Sequence, residues 1–88
     1  AHLSKCNAFY LDIDIDVCDR SAVPAAPAAL PGGLSADQLR ELVFELAKSK
    51  NLNHFDITEI DSSIDTADQR TSRLAALCIL EIASAKSL

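Results

Sequence analysis

The sequence has no methionine and no tryptophan, only two glycines and three prolines, and aromatic residues make up 5% of it. Without methionine there is no initiator residue, so the chain is expected to be a fragment or a processed product. Positive charge is scarce as well: eight Lys and Arg face thirteen Asp and Glu, for a net charge of −5. With no Lys/Arg cluster and no interleaving of basic with aromatic residues, neither nucleic acid nor an anionic membrane is an expected partner. No apolar run reaches the ~20 residues that span a bilayer, and no charged leader with a cleavage site precedes the first strand-like segment. The cysteines Cys6, Cys18 and Cys78 match neither a disulfide framework nor a zinc site, so reduced thiols in a cytoplasmic setting are expected.

What is present points to a packed interior. Hydrophobic residues make up 49% and charged residues 24%, a balance of globular and not disordered chains. A chain of 88 residues forms one small domain that buries only about 60–65% of its unfolded surface, so further structure is expected to help hold it.

Residues 8–16 alternate, with Phe9, Leu11, Ile13 and Ile15 on one face and Tyr10, Asp12, Asp14 and Asp16 on the other, which is the period of a strand. Residues 21–33 hold all three prolines and both glycines and read as a long ordered loop, a type that usually has a function. Ser35 with Gln38 forms a capping-box pattern, and Leu39, Leu42, Val43, Leu46 and Ala47 follow at helical spacing, predicting an amphipathic helix over 35–48. Residues 52–60 predict a second strand, and Thr66 with Gln69 a second capping box before an apolar helix through 74–83, expected to be buried on more than one side. Strand, helix, strand, helix implies a right-handed crossover and two parallel strands of an α/β sheet. Two strands and two helices cannot cover both faces of such a sheet, so the remaining layers belong to a larger domain.

Asp12, Asp14 and Asp16 fall at every second position near the strand's carboxyl end, with alternate residues about 6.6–7 Å apart. Carboxylates crowded in this way raise a pKa or recruit a cation, and oxygen donors suit magnesium, calcium or manganese. The plainer reading is a solvated strand end. Glu59 lies near the end of the second strand, and parallel strands bring their carboxyl ends to one edge, so it can converge with the aspartates to bind a cationic guanidinium or formimino group. Read alone, it is an ordinary exposed glutamate.

The segment Leu11-Asp12-Ile13-Asp14-Ile15-Asp16-Val17-Cys18-Asp19, with Pro24 and Pro31-Gly32-Gly33-Leu34 after it, resembles the ureohydrolase (arginase/agmatinase/formimidoylglutamase) family. There an S/T-x-D-x-D strand end runs into D-P, a proline-rich loop and G-G-L before a helix. Asp56-Ile57-Thr58-Glu59-Ile60 is similar to the family's D-[IV]-x-E-[VIL] strand, and the resemblance spans residues 9–86. It implies a βαβα piece, residues 1–88, of a three-layer αβα arginase-like domain and two Mn2+ ions in the complete enzyme. Asp14 then matches the aspartate bridging both ions, Asp16 the aspartate on one of them, and Glu59 the glutamate facing the substrate's guanidinium or formimino end. In that family the metal pair activates water to attack the C=N carbon of a linear amidine or guanidine. Asp12 stands where the family has Ser or Thr, which implies a supporting role and not a ligand.

Several positions depart from the pattern: Asp61-Ser62 replaces N-P, Arg20 replaces a proline, and Pro24-Ala25 replaces P-G, which removes a glycine and opens another path for the loop. The upstream histidine and D-A-H-x-D motifs are absent, so the chain alone is expected to be inactive and to need its N-terminal portion, or a homo-oligomer, as partner. Residues 64–76 look most like formimidoylglutamases, with Arg70 and Arg73 as surface, salt-bridge or oligomer-contact residues. Arginase and agmatinase are the alternatives within the family. A metal-free structural or interaction module is the alternative of another class. His2 and His54 lack partners at ligand spacing, no serine has nucleophile context, and acidic neighbours argue against a reactive Cys18.

Overall fold

A computed structural model describes residues 7–88, so His2, Cys6 and most of the polar amino-terminal stretch lie outside the described residues. The elements follow as β1 (Phe9–Asp14), a 3-10 turn (Ile15–Val17), α1 (Ala36–Ala47), β2 (Leu52–Thr58), a second 3-10 turn (Ser62–Ile64) and α2 (Arg70–Lys86). β1 and β2 pair in parallel, with Tyr10 opposite His54, Asp12 opposite Asp56 and Asp14 opposite Thr58. The helices pack on each other. This is the expected α/β arrangement of two parallel strands and their helices.

The alternation in β1 does what its spacing predicts: Ile13 is buried while Tyr10, Asp12 and Asp14 are exposed. The strand nevertheless ends at Asp14 and not at residue 16, because the Asp14 carboxylate accepts the Asp16 amide at 3.2 Å and caps the 3-10 turn. An aspartate that bonds the amide two residues on offers the backbone a turn in place of a ladder. Ile15, fully buried, anchors that turn to the core with Val23, Leu39, Val43, Leu52, Leu74 and Ile82.

α1 starts as its sequence predicts. Ser35 Oγ accepts from the Gln38 amide at 3.1 Å and Gln38 Oε1 accepts from the Ser35 amide at 2.9 Å, while Leu39, Val43 and Ala47 face inward. The Thr66–Gln69 box does not form. Gln69 takes a left-handed backbone (φ 54°) without a side-chain cap, and Thr66 donates its hydroxyl to Asp68. Asp65 does the capping instead, accepting from the Ser72 amide and hydroxyl, both at 2.9 Å, and from the Thr71 amide at 3.4 Å. A full negative charge outcompetes a hydroxyl for helix amides.

Partial burial pushes the Asp65 carboxyl up, but hydrogen bonds from Ser72, Thr66 and Thr71 outweigh it and bring it from 3.8 down to about 2. A folded value below the unfolded one stabilises the fold above about pH 4, and that stability is lost as pH falls toward about 2. Asp65→Asn is therefore expected to lower stability at neutral pH and to flatten the acid limb. Denaturant melts of both proteins along that pH range check it; identical pH profiles would remove Asp65 from the account.

α2 is buried along one side only, through Thr71, Leu74, Cys78, Ile82 and Ala85. Ile79 and Leu80 remain 48% and 61% exposed, against the expected burial on several sides, because these residues hold no layer that reaches that face. Among the described residues, no helix is long and apolar enough to cross a membrane.

The proline-rich loop is ordered by burial: Val23, Ala25, Ala26 and Ala29 are all enclosed. Ala25 donates its amide to the buried Thr71 hydroxyl at 3.0 Å and accepts the Asp61 amide at 2.9 Å. Among described non-glycine residues only Glu59 and Gln69 have positive φ, so alanine at position 25 carries no backbone strain. Thr71→Val keeps the shape but orphans the Ala25 amide, and is expected to cost ~1–3 kcal/mol in chemical denaturation, with Thr71→Ser retaining most of it. A valine variant as stable as the parent would show that the bond contributes nothing.

Candidate metal and substrate site

Asp14 ends β1 and Asp16 sits half-buried in the following turn, so the two carboxylates leave the sheet at its carboxyl edge from different local geometries. The Asp16 carboxyl is raised, first by its hydrogen bonding with Asp14, then by burial and the charges of Asp14 and Glu59. That effect places Glu59 within electrostatic reach of Asp16. Glu59 is the first residue past β2, and its φ of 70° is a left-handed backbone that L side chains other than Asn and Asp rarely adopt. Strand alternation therefore does not set its direction.

Asp12 lies on the same face as Asp14, directly opposite Asp56. Its carboxyl is raised by hydrogen bonding with Asp56, by desolvation and by the charges of Asp56 and Asp14, against a lowering bond from Thr58. Asp56 is lowered, first by the Tyr10 hydroxyl, which donates to its Oδ2 at 2.6 Å, and then by Asp12. Oδ1 of Asp56 is buried without a hydrogen-bond partner among the described residues. The Tyr10–Asp56–Asp12 group was not found in the sequence. The signal was the second polar stripe of residues 54, 56 and 58, which only the strand register pairs with the first.

A second device holds the loop against the site. Asp19 accepts from the Gly32 amide at 2.7 Å and from the Ser21 amide at 3.0 Å, and these bonds, led by that from the Ser21 hydroxyl, lower its carboxyl. Asp19 donates its amide to the Leu34 carbonyl at 2.8 Å, and Leu34 donates to the Val17 carbonyl at 3.0 Å. Gly33 lies between these bonds, where a Cβ would meet the Cys18 carbonyl carbon and the Val17 oxygen at 2.6 Å. Gly32 has open space but a φ of +93°. Arg20 donates to the carbonyls of Pro27 at 3.1 Å and Ala29 at 3.5 Å, pinning the loop where the pattern has proline. Burial raises the Cys18 thiol, as the sequence predicts for an unreactive cysteine, though by enclosure and not by its acidic neighbours.

The carboxylate donors of Asp14 and Asp16 are of the type that manganese takes, and a cation would relieve the crowding that raises Asp16. Their number does not complete a site. No group of three or more His, Cys, Asp or Glu residues placed to hold an ion occurs among the described residues.

The arginase family model matches residues 1–84. The chain belongs to the arginase family. Bacillus subtilis (strain 168) formimidoylglutamase is 40% identical over 76 residues, which cover 86% of this chain and 24% of that protein. Its Halalkalibacterium halodurans counterpart is 34% identical over 82 residues, covering 93% of this chain and 25% of that protein. The crystal structure of the Bacillus subtilis enzyme superposes with a TM-score of 0.89 at 35% identity, covering 97% of this chain and 26% of that one. Trypanosoma cruzi formiminoglutamase, solved with Mn2+, shares the fold with a TM-score of 0.79 at 21% identity, covering 92% of this chain and 27% of that one. The arginase-family chain thus spans about a quarter of the length of the relatives it matches.

Proposed function

We propose that this chain is the C-terminal part of one ureohydrolase-type α/β domain, and that the whole protein is a manganese-dependent formimidoylglutamase. It would cleave N-formimidoyl-L-glutamate to glutamate and formamide. The reading is supported by the placement of Asp14 at the end of β1, Asp16 in the turn after it and Glu59 just after β2, at the carboxyl ends of two parallel strands, in a chain 40% identical to a formimidoylglutamase over 76 residues. Open α/β sheets place their ligands at that edge.

Asp14 and Asp16 are the residues that would hold manganese, with the remaining ligands coming from outside the described residues. Bound there, a metal would supply a water of lowered pKa and would polarise the substrate. Glu59 accepts charge-assisted hydrogen bonds from the cationic formimino group and so orients its carbon. The Asp14 carboxylate, by capping the turn, also fixes where Asp16 presents its oxygens. The described residues by themselves offer too few ligands for this, and the chain alone would be inactive.

The test is a pair of chimeras in which this chain replaces the matching quarter of Bacillus subtilis formimidoylglutamase or of Bacillus cereus arginase. Formamide release from N-formimidoyl-L-glutamate in the first host, dependent on manganese and lost in Glu59→Gln with metal content unchanged, is the expected result. Productive urea release in the arginase host, with none of formamide in the other, would move the substrate to a guanidine. Folded chimeras that bind no metal would make the chain an interaction module.

A further inference from the structure

An open cleft of about 320 Å³ lies at the start of α2, lined by Arg40 of α1 and by Arg70 and Arg73 of α2. Its floor is apolar, with Ala22, Leu74 and Leu77. The one acidic residue on its wall, Asp68, already accepts bonds from Thr66 and Arg70. Two of the three guanidinium groups are held in place: Arg40 Nε donates to Glu81 at 2.8 Å, and Arg70 donates to the Ser21 carbonyl at 3.1 Å and to Asp68 at 3.3 Å. The Arg73 side chain makes no hydrogen bond or ion pair with any described residue. The first amides of α2 are spent on Asp65 and Asp68, so the helix end itself has nothing left to offer an anion. On a chain of net charge −5, this is a local reversal of sign that the aspartate site does not use.

We propose that this cleft binds an organic carboxylate, gripped by Arg73 and by the free edges of Arg40 and Arg70, with its carbon portion on the apolar floor. Guanidinium forks match the planar carboxylate, and two that are already oriented lose little freedom on binding. The carboxylate comes either from a free small acid or from an Asp or Glu side chain of a second copy of this acidic chain. The inference goes beyond the formimidoylglutamase reading and stands without it.

The experiment is a calorimetric titration of the full chain with glutarate, using inorganic phosphate as a probe of charge without an apolar body, beside sedimentation velocity over a range of chain concentrations. Saturable glutarate binding, tighter than that of phosphate, is expected, and Arg73→Gln should weaken it ~10-fold while leaving the helical circular dichroism unchanged. Arg73→Lys, which keeps the charge but loses the fork, should fall between. Self-association that both glutarate and Arg73→Gln dissolve assigns the carboxylate to a second copy. Glutarate binding indifferent to Arg73→Gln, or neither glutarate binding nor self-association, overturns the proposal. The same titration in the formimidoylglutamase chimera decides the matter if the chain alone does not hold its helices.

Discussion

Asp14→Asn in the formimidoylglutamase chimera is expected to lower manganese-dependent hydrolysis about a thousandfold, the loss of ~4 kcal/mol of transition-state stabilisation, and to lower manganese stoichiometry with it. The asparagine is the informative substitution because Asp14 does two things. Its carboxylate caps the 3-10 turn through the Asp16 amide, and it supplies a charged oxygen donor at the end of β1. Asparagine keeps an acceptor oxygen for the cap and removes the charge; alanine removes both. If the charge matters, Asn is as inactive as Ala while melting close to the parent. If Asn restores activity that Ala loses, Asp14 serves the turn and not a metal, and the proposed ligand set fails.

Gly33→Ala is expected to be the most destabilising single methyl in the chain, costing about 3 kcal/mol or more. The added Cβ meets three backbone atoms at 2.6–2.7 Å, those of Val17, Cys18 and Asp19, and none of them can swing aside as a side-chain tip would. Relief requires moving residues 17–19, which directly follow Asp16, so metal binding should weaken along with stability. Gly32→Ala meets nothing within 4 Å and suffers only the left-handed backbone at φ +93°, a strain of ~1–2 kcal/mol. Thermal or denaturant melts that rank Gly32→Ala as the worse of the two would contradict the packing account.

The two glycines show how far the sequence could be read. Pro31-Gly32-Gly33-Leu34 marked an ordered loop, but nothing in the letters said that one glycine is needed for its φ and the other for its missing Cβ. Alternation over residues 8–16 identified the buried face of β1 because a period of two is a local property. It overran the strand's end because Asp14 recruits the next turn with its own side chain. The two capping boxes looked alike, yet only Ser35–Gln38 forms. The other loses to Asp65, which the 3-10 turn at residues 62–64 delivers to the amides of α2. That Asp14 and Glu59 stand at the same edge of the sheet followed from strand order alone. The pairing of Asp12 with Asp56 depends on register, and an irregularity between Phe9 and Tyr10 sets that register beyond the reach of pattern reading.

Glu59 carries a conflict within one residue. Its left-handed backbone would be relaxed by glycine, and asparagine would be the next best tenant, but neither offers the carboxylate that the site is proposed to need. Selection for thermal stability alone would therefore tend to erase this glutamate, and consensus-style engineering guided by backbone preference would remove it early. Its persistence in an active variant would register the demand of function over the demand of folding, at a position where the two pull in opposite directions.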